Sequence, residues 1–135
     1  MSAKTVHGAG YKRQQLADCL PLATPFSLHI FASHRCNLKC GYCLHSLPPE
    51  TVRTKGFRKE LMDFALFKRC MDSAIMFPDR FRVLIFAGWG EPLTHPHIAD
   101  MVALAKRCAV ADRVEIVSNG TLLTPELSDR LIDAV

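Results

Sequence analysis

The chain has 135 residues, 49% of them hydrophobic and 22% charged, with a formal net charge of +4. That is enough for one compact core but short of the roughly 200 or more residues that a closed α/β barrel usually requires, so one domain or a piece of one is expected. The charge is modest and scattered, with Lys12, Arg13, Arg53, Lys55, Arg58 and Lys59 reading as solvated terminal and loop positions, which disfavours nucleic acid as a partner. No apolar run could span a bilayer and no N-terminal signal segment is evident, so the expectation is no membrane contact and a reducing, cytoplasmic location.

Residues 1–25 read as an N-terminal extension, with a poorly ordered tail over the first ten and a short helix from Tyr11 to Leu20 before Pro21. Phe26 to Ala32, apolar at Phe26, Leu28, Ile30 and Phe31, predicts a first buried strand and opens the main domain, 26–135. Cys36, Cys40 and Cys43 follow directly as C-N-L-K-C-G-Y-C. Residues 46–60, with Pro48, Pro49 and Gly56, predict an irregular connection. Asp63 suits an N-cap, and Phe64, Phe67, Met71, Ala74 and Ile75 recur on one helical face until Pro78. Cys70 lies within this helix and reads as packing.

Val83 to Ala87 is a continuous apolar run, the pattern of a strand covered on both faces in a parallel sheet. Gly-Trp-Gly-Glu-Pro comes next, and Pro96 suits the first turn of a second helix with Ile98, Met101, Val102, Ala105 and Cys108 inward. A third strand, Val114 to Val117, ends in Ser118-Asn119-Gly120. Thr124-Pro125 then caps and starts a third helix with Leu127, Leu131, Ile132 and Val135 inside. The order is βαβαβα, and right-handed crossovers would make all three strands parallel with the helices on one side.

Three polar motifs therefore follow the C-terminal ends of three strands, where α/β sheets and barrels place their active sites. The cysteine trio supplies three thiolates within eight residues, one fewer than a four-iron cluster normally takes, leaving one iron open. Two other readings stay open from the residues. A structural zinc site would need a fourth ligand from Cys19, His34, His45, Cys70 or Cys108, making the chain a non-enzymatic zinc-binding module; oxidised or inert thiols are the other. His34 and His45 flank the cysteine loop and read as exposed, and His95 and His97 read as a polar helix start.

With these motifs in this order, the chain resembles the radical S-adenosylmethionine (radical SAM) superfamily, on C-N-L-K-C-G-Y-C, G-W-G-E-P-L and S-N-G-T-L-L. The style is that of the molybdenum-cofactor synthesis, sulfatase-maturating and peptide-modifying members. The resemblance implies the (βα)3 half of a partial TIM-like (β/α)6 barrel, truncated after the third helix. It implies that Cys36, Cys40 and Cys43 ligate three irons of a 4Fe-4S cluster whose fourth iron chelates S-adenosylmethionine. Reductive cleavage would then give methionine and a 5′-deoxyadenosyl radical that abstracts hydrogen from a peptide or cofactor precursor. Tyr42 matches the aromatic near the adenine, and Gly88, Gly90, Glu91 and Pro92 match the turn that binds the methionine end. In that turn Gly90 would let the ligand approach, and Glu91 would meet the methionine ammonium. Ser118 and Asn119 match polar cofactor contacts. Trp89 stands where the commonest motif has glycine. A reductant such as flavodoxin or ferredoxin is implied, and a radical nucleic-acid methylase is a further alternative that the charge pattern disfavours.

Overall fold

The computed structural model describes residues 15–18 and 20–134. The expected tail lies outside them, as does half of the Tyr11–Leu20 segment, whose described residues include a single 3-10 turn, Leu16–Asp18. The elements are β1 (Ser27–Ile30), α1 (Pro49–Thr54), α2 (Phe64–Ala74), β2 (Val83–Phe86), α3 (Ile98–Arg107), β3 (Val114–Ile116) and α4 (Pro125–Asp133). The three strands form one parallel sheet in the order β1-β2-β3.

Register explains the layering. Leu28, Leu84 and Val114 align across the sheet, as do Ile30, Phe86 and Ile116, and both rows join a core with Phe67 and Met71 of α2, Ile98, Met101 and Ala105 of α3, and Leu127 and Leu131 of α4. Side chains alternate along a strand, so these residues all point to one face, and the helices cover that face. Each large side chain buried there contributes roughly 1.5–3 kcal/mol. A one-residue slip would turn the whole row outward, which fixes the register.

The opposite face aligns His29, Ile85 and Glu115. Val83 is buried, but Ile85 is half-buried between these two polar neighbours, so β2 is not sealed on both sides as its apolar run predicted. The reason is composition: only β2 carries apolar residues at both parities.

Helix ends follow local chemistry. Asp63 caps α2 by accepting from Leu66 N at 2.9 Å, and Thr124 caps α4 by accepting from Leu127 N at 3.2 Å with Pro125 in the first turn. Hydrogen bonds from its own backbone N–H and from Thr124 hold the Glu126 carboxyl below its usual value. Three expectations need correction. Residues 46–60 contain α1, begun by Pro49, whose fixed φ is preorganised for a first helical turn. Pro96 precedes α3, which starts at Ile98 with His97 at its N-cap. Ile75 and Ile132, expected on inner faces, are 53% and 70% exposed because each sits one position past the inward stripe; Val135 lies outside the described residues. Cys70 and Cys108 are partly buried against the core, as packing residues would be. Among the described residues no helix is long and apolar enough to cross a membrane.

Candidate functional site

The chain leaves β1 and immediately runs against the turn that follows β2. Gly90 makes this possible: a Cβ there would collide with the Ser33 carbonyl oxygen and lie 2.7 Å from that of Arg35. Glu91 N donates to the Arg35 carbonyl at 2.7 Å. The Ser33 and Thr94 hydroxyls pair at 2.6 Å, and Thr94 Oγ1 donates to the Glu91 carbonyl at 2.7 Å. Gly90 therefore admits the backbone that leads into the cysteine loop, where the motif had suggested a ligand. Gly88 has φ +136° and a Cβ on it would lie 2.6 Å from Cε1 of Phe31, so both its conformation and its space require glycine.

Glu91 is 2% exposed. Its Oε1 accepts from Leu93 N at 3.0 Å and from Ser118 Oγ at 2.7 Å, and its Oε2 accepts from Asn119 N at 2.8 Å. The carboxylate is thus turned into the protein and joins the end of β2 to the end of β3, a bracing role that the motif did not suggest. Three short bonds to an anion in a dry setting are individually strong. Pro92 is also fully buried, so its ring serves packing and offers no face to a ligand.

From β3 the network reaches the cysteines. Asn119 Nδ2 donates to Asn37 Oδ1 at 3.1 Å and lies 4.0 Å from Cys36 Sγ, while Asn37 Nδ2 donates to Thr121 Oγ1 at 2.7 Å. Leu38 N donates to Cys36 Sγ at 3.4 Å. Ser118 Oγ, besides donating to Glu91, accepts from Gly120 N at 2.8 Å. Sequence reading found Cys36, Ser118 and Asn119 but missed Asn37, Thr94 and Thr121. Their partners lie up to 84 residues away, and no local signal marks such pairs.

At the other end of the loop, Tyr42 is 96% exposed and Trp89 58% exposed; with Cys43, Leu44 and Gly88 they line an open cleft of about 390 Å³. Among the described residues, none packs over the Tyr42 ring to bury it. His45 is 5% exposed and its Nε2 donates to the Trp89 carbonyl at 2.6 Å. His34 is half-buried and stacks on Phe57 with ring centroids 5.1 Å apart. His95 is 3% exposed; its Nε2 donates to the Met62 carbonyl at 2.8 Å and its Nδ1 accepts from His97 N at 3.1 Å. All three were expected as ordinary loop or surface histidines. Histidine is amphipathic, and only its neighbours decide whether a ring is wet or dry.

The cysteine trio passes a test of donor chemistry. Cys36, Cys40 and Cys43 are free and partly buried, and two N–H groups approach Cys36 Sγ, at 3.4 and 4.0 Å. Among the described residues no three His, Cys, Asp or Glu gather as a single-ion site would require. A four-iron cluster makes a different demand, since each thiolate binds a separate iron.

Fold and rim together define a parallel α/β unit with its ligand-bearing loops at the strand C-termini, the layout of the opening strands of a barrel enzyme. The Radical SAM superfamily model matches residues 30–135, and the chain belongs to that superfamily, whose members use a 4Fe-4S cluster and S-adenosylmethionine. Similar curated proteins include the tungsten-containing aldehyde ferredoxin oxidoreductase cofactor-modifying protein of Pyrococcus furiosus, 34% identical over 106 residues that cover 78% of this chain and 27% of that protein. GTP 3',8-cyclase of Chlorobaculum tepidum is 33% identical over 107 residues, 79% of this chain and 29% of that protein. The antilisterial bacteriocin subtilosin biosynthesis protein AlbA of Bacillus subtilis is 29% identical over 107 residues, 79% and 20%. The crystal structure of BtrN in complex with AdoMet and 2-DOIA shares the fold, with a TM-score of 0.67 at 22% identity over 81% of this chain and 42% of that one. The chain spans less than a third of the length of these curated relatives.

Proposed function

We propose that residues 26–135 form the N-terminal part of the core domain of a radical SAM enzyme, with Cys36, Cys40 and Cys43 as the ligands of a 4Fe-4S cluster. The observation that carries this reading is the continuous bonding of the three rim motifs, from Asn119 beside Cys36 through Glu91 to the Gly88–Pro92 turn. When bound, the cluster supplies the electron that splits S-adenosylmethionine into methionine and a 5′-deoxyadenosyl radical, the species that takes hydrogen from substrate.

The chain's own residues prepare the place. Tyr42, exposed in the cleft beside Cys43, would offer an unobstructed aromatic face to the adenine ring. Gly88, exposed at the same cleft, leaves room for the methionine end. Glu91 acts indirectly, holding Ser118 and Asn119 so that the Asn119 amide stays beside Cys36 Sγ. N–H groups near a cluster sulfur raise its reduction potential, which gives Asn119 a role in setting how readily the electron arrives. A flavodoxin or ferredoxin would serve as reductant, as the family implies, and the substrate would be a peptide or cofactor precursor, by analogy with the cofactor-modifying and bacteriocin-biosynthesis relatives.

Anaerobic reconstitution with iron and sulfide tests the reading. About four irons per chain, a brown colour and a paramagnetic signal altered by S-adenosylmethionine support it. Stoichiometric zinc with no colour would overturn it in favour of a zinc module.

A further inference from the structure

The two limbs of the cysteine loop are held very differently. The limb before and just after Cys36 is fixed by Glu91 N to the Arg35 carbonyl, by the close seat on Gly90, and by Asn37 to Thr121 and Asn119. The limb that carries Cys40 and Cys43, residues 39–47, makes local turn bonds such as Cys43 N to the Cys40 carbonyl at 2.8 Å. Among the described residues, one hydrogen bond joins this limb to any other segment: His45 Nε2 to the Trp89 carbonyl, 2.6 Å.

That bond is built to hold. His45 is 5% exposed and its ring sits edge-on to Phe57, centroids 5.8 Å apart, so water competes poorly for the imidazole. A carbonyl only accepts, so Nε2 is the donor in this bond, while the buried Nδ1 meets no hydrogen-bond partner among the described residues. The acceptor is a main-chain oxygen, so the contact fixes the backbone of the Gly88–Pro92 turn whatever side chain occupies position 89.

We propose that His45 is a positioning residue that sets where Cys40 and Cys43 stand relative to Cys36 and to the turn after β2. Its consequence for the metal centre rests on the cluster reading above; its geometry does not. Without this tether the limb keeps its internal turns but loses its one hydrogen-bonded anchor among the described residues, and two of the three thiols sample positions away from the third.

The test uses two variants of the whole chain. His45→Leu fills the buried site without a donor, and His45→Gln keeps an N–H that reaches the same carbonyl. Without metal, iodoacetamide labelling is followed at each cysteine by mass spectrometry. In His45→Leu, Cys40 and Cys43 should react about five-fold faster, the factor for one net hydrogen bond lost from a local opening, while Cys36, Cys70 and Cys108 keep their rates. His45→Gln should match the parent. After anaerobic reconstitution, His45→Leu should lose iron to a chelator faster than His45→Gln. Unchanged rates at Cys40 and Cys43 overturn the proposal, and so does a uniform rise at all six thiols of the chain, which marks general loosening. If the parent takes up no iron yet the labelling pattern holds, the cluster reading falls and the tether stands.

Discussion

Replacing Glu91 by glutamine changes one atom and one charge at the junction of β2 and β3. The Oε1 position keeps its bonds from Leu93 N and Ser118 Oγ, but the amide nitrogen now faces Asn119 N, which had donated to Oε2 at 2.8 Å. Donor meets donor, and the site is too buried, at 2% exposure, for water to repair the mismatch. Losing one hydrogen bond to a charged acceptor costs about 2 kcal/mol, a net figure that already includes the carboxylate's desolvation. For a domain of this size that is a fall in Tm of roughly 8 °C. Glu91→Ala, which strips all three bonds, should cost about 4–5 kcal/mol. Circular dichroism melts and urea titrations of the chain without metal measure both. A fall of less than about 2 °C in Glu91→Gln would refute the view of Glu91 as an internal brace and return it to the role of a direct ligand contact.

Two further substitutions separate structural from incidental positions. Gly90→Ala should destabilise by about 3 kcal/mol, because the backbone at Ser33 and Arg35 must move to admit the methyl group, whereas Gly41→Ala, with nothing within 4 Å, should leave the urea midpoint unchanged. His95→Ala should cost about 2–3 kcal/mol through the unpaired Met62 carbonyl and His97 N–H. His97→Ala, which loses an exposed contact to Asp100, should stay within about 0.5 kcal/mol in the same titration.

The motifs also correct one another once folded. Read singly, Gly90 and Glu91 are ligand-binding residues; in three dimensions Gly90 receives the backbone of residues 33–35 and Glu91 is spent on Ser118 and Asn119. The turn after β2 thus acts as a platform for the cysteine loop. This arrangement explains why a cysteine loop with few apolar anchors of its own stands at a defined place on the rim. It also accounts for Trp89: its carbonyl is the part of the residue that the loop uses, and its side chain is left to form the wall of the cleft beside Tyr42.

Sequence alone determined the alternation of the three strands with α2, α3 and α4, the parallel sheet, most of the inward positions of those helices, the caps at Asp63 and Thr124, and the three motifs at the strand ends. These depend on periodicity and on chemistry between near neighbours, which a linear reading contains. Only the tertiary structure decided the roles of Glu91, Gly90, His45 and His95, because each is defined by a partner far along the chain. It also decided that β2 is open on one face and that the segment before α2 holds a short helix. A buried carboxylate and an exposed one have the same neighbours in sequence; what distinguishes them is which backbone amides and hydroxyls the fold brings to their oxygens.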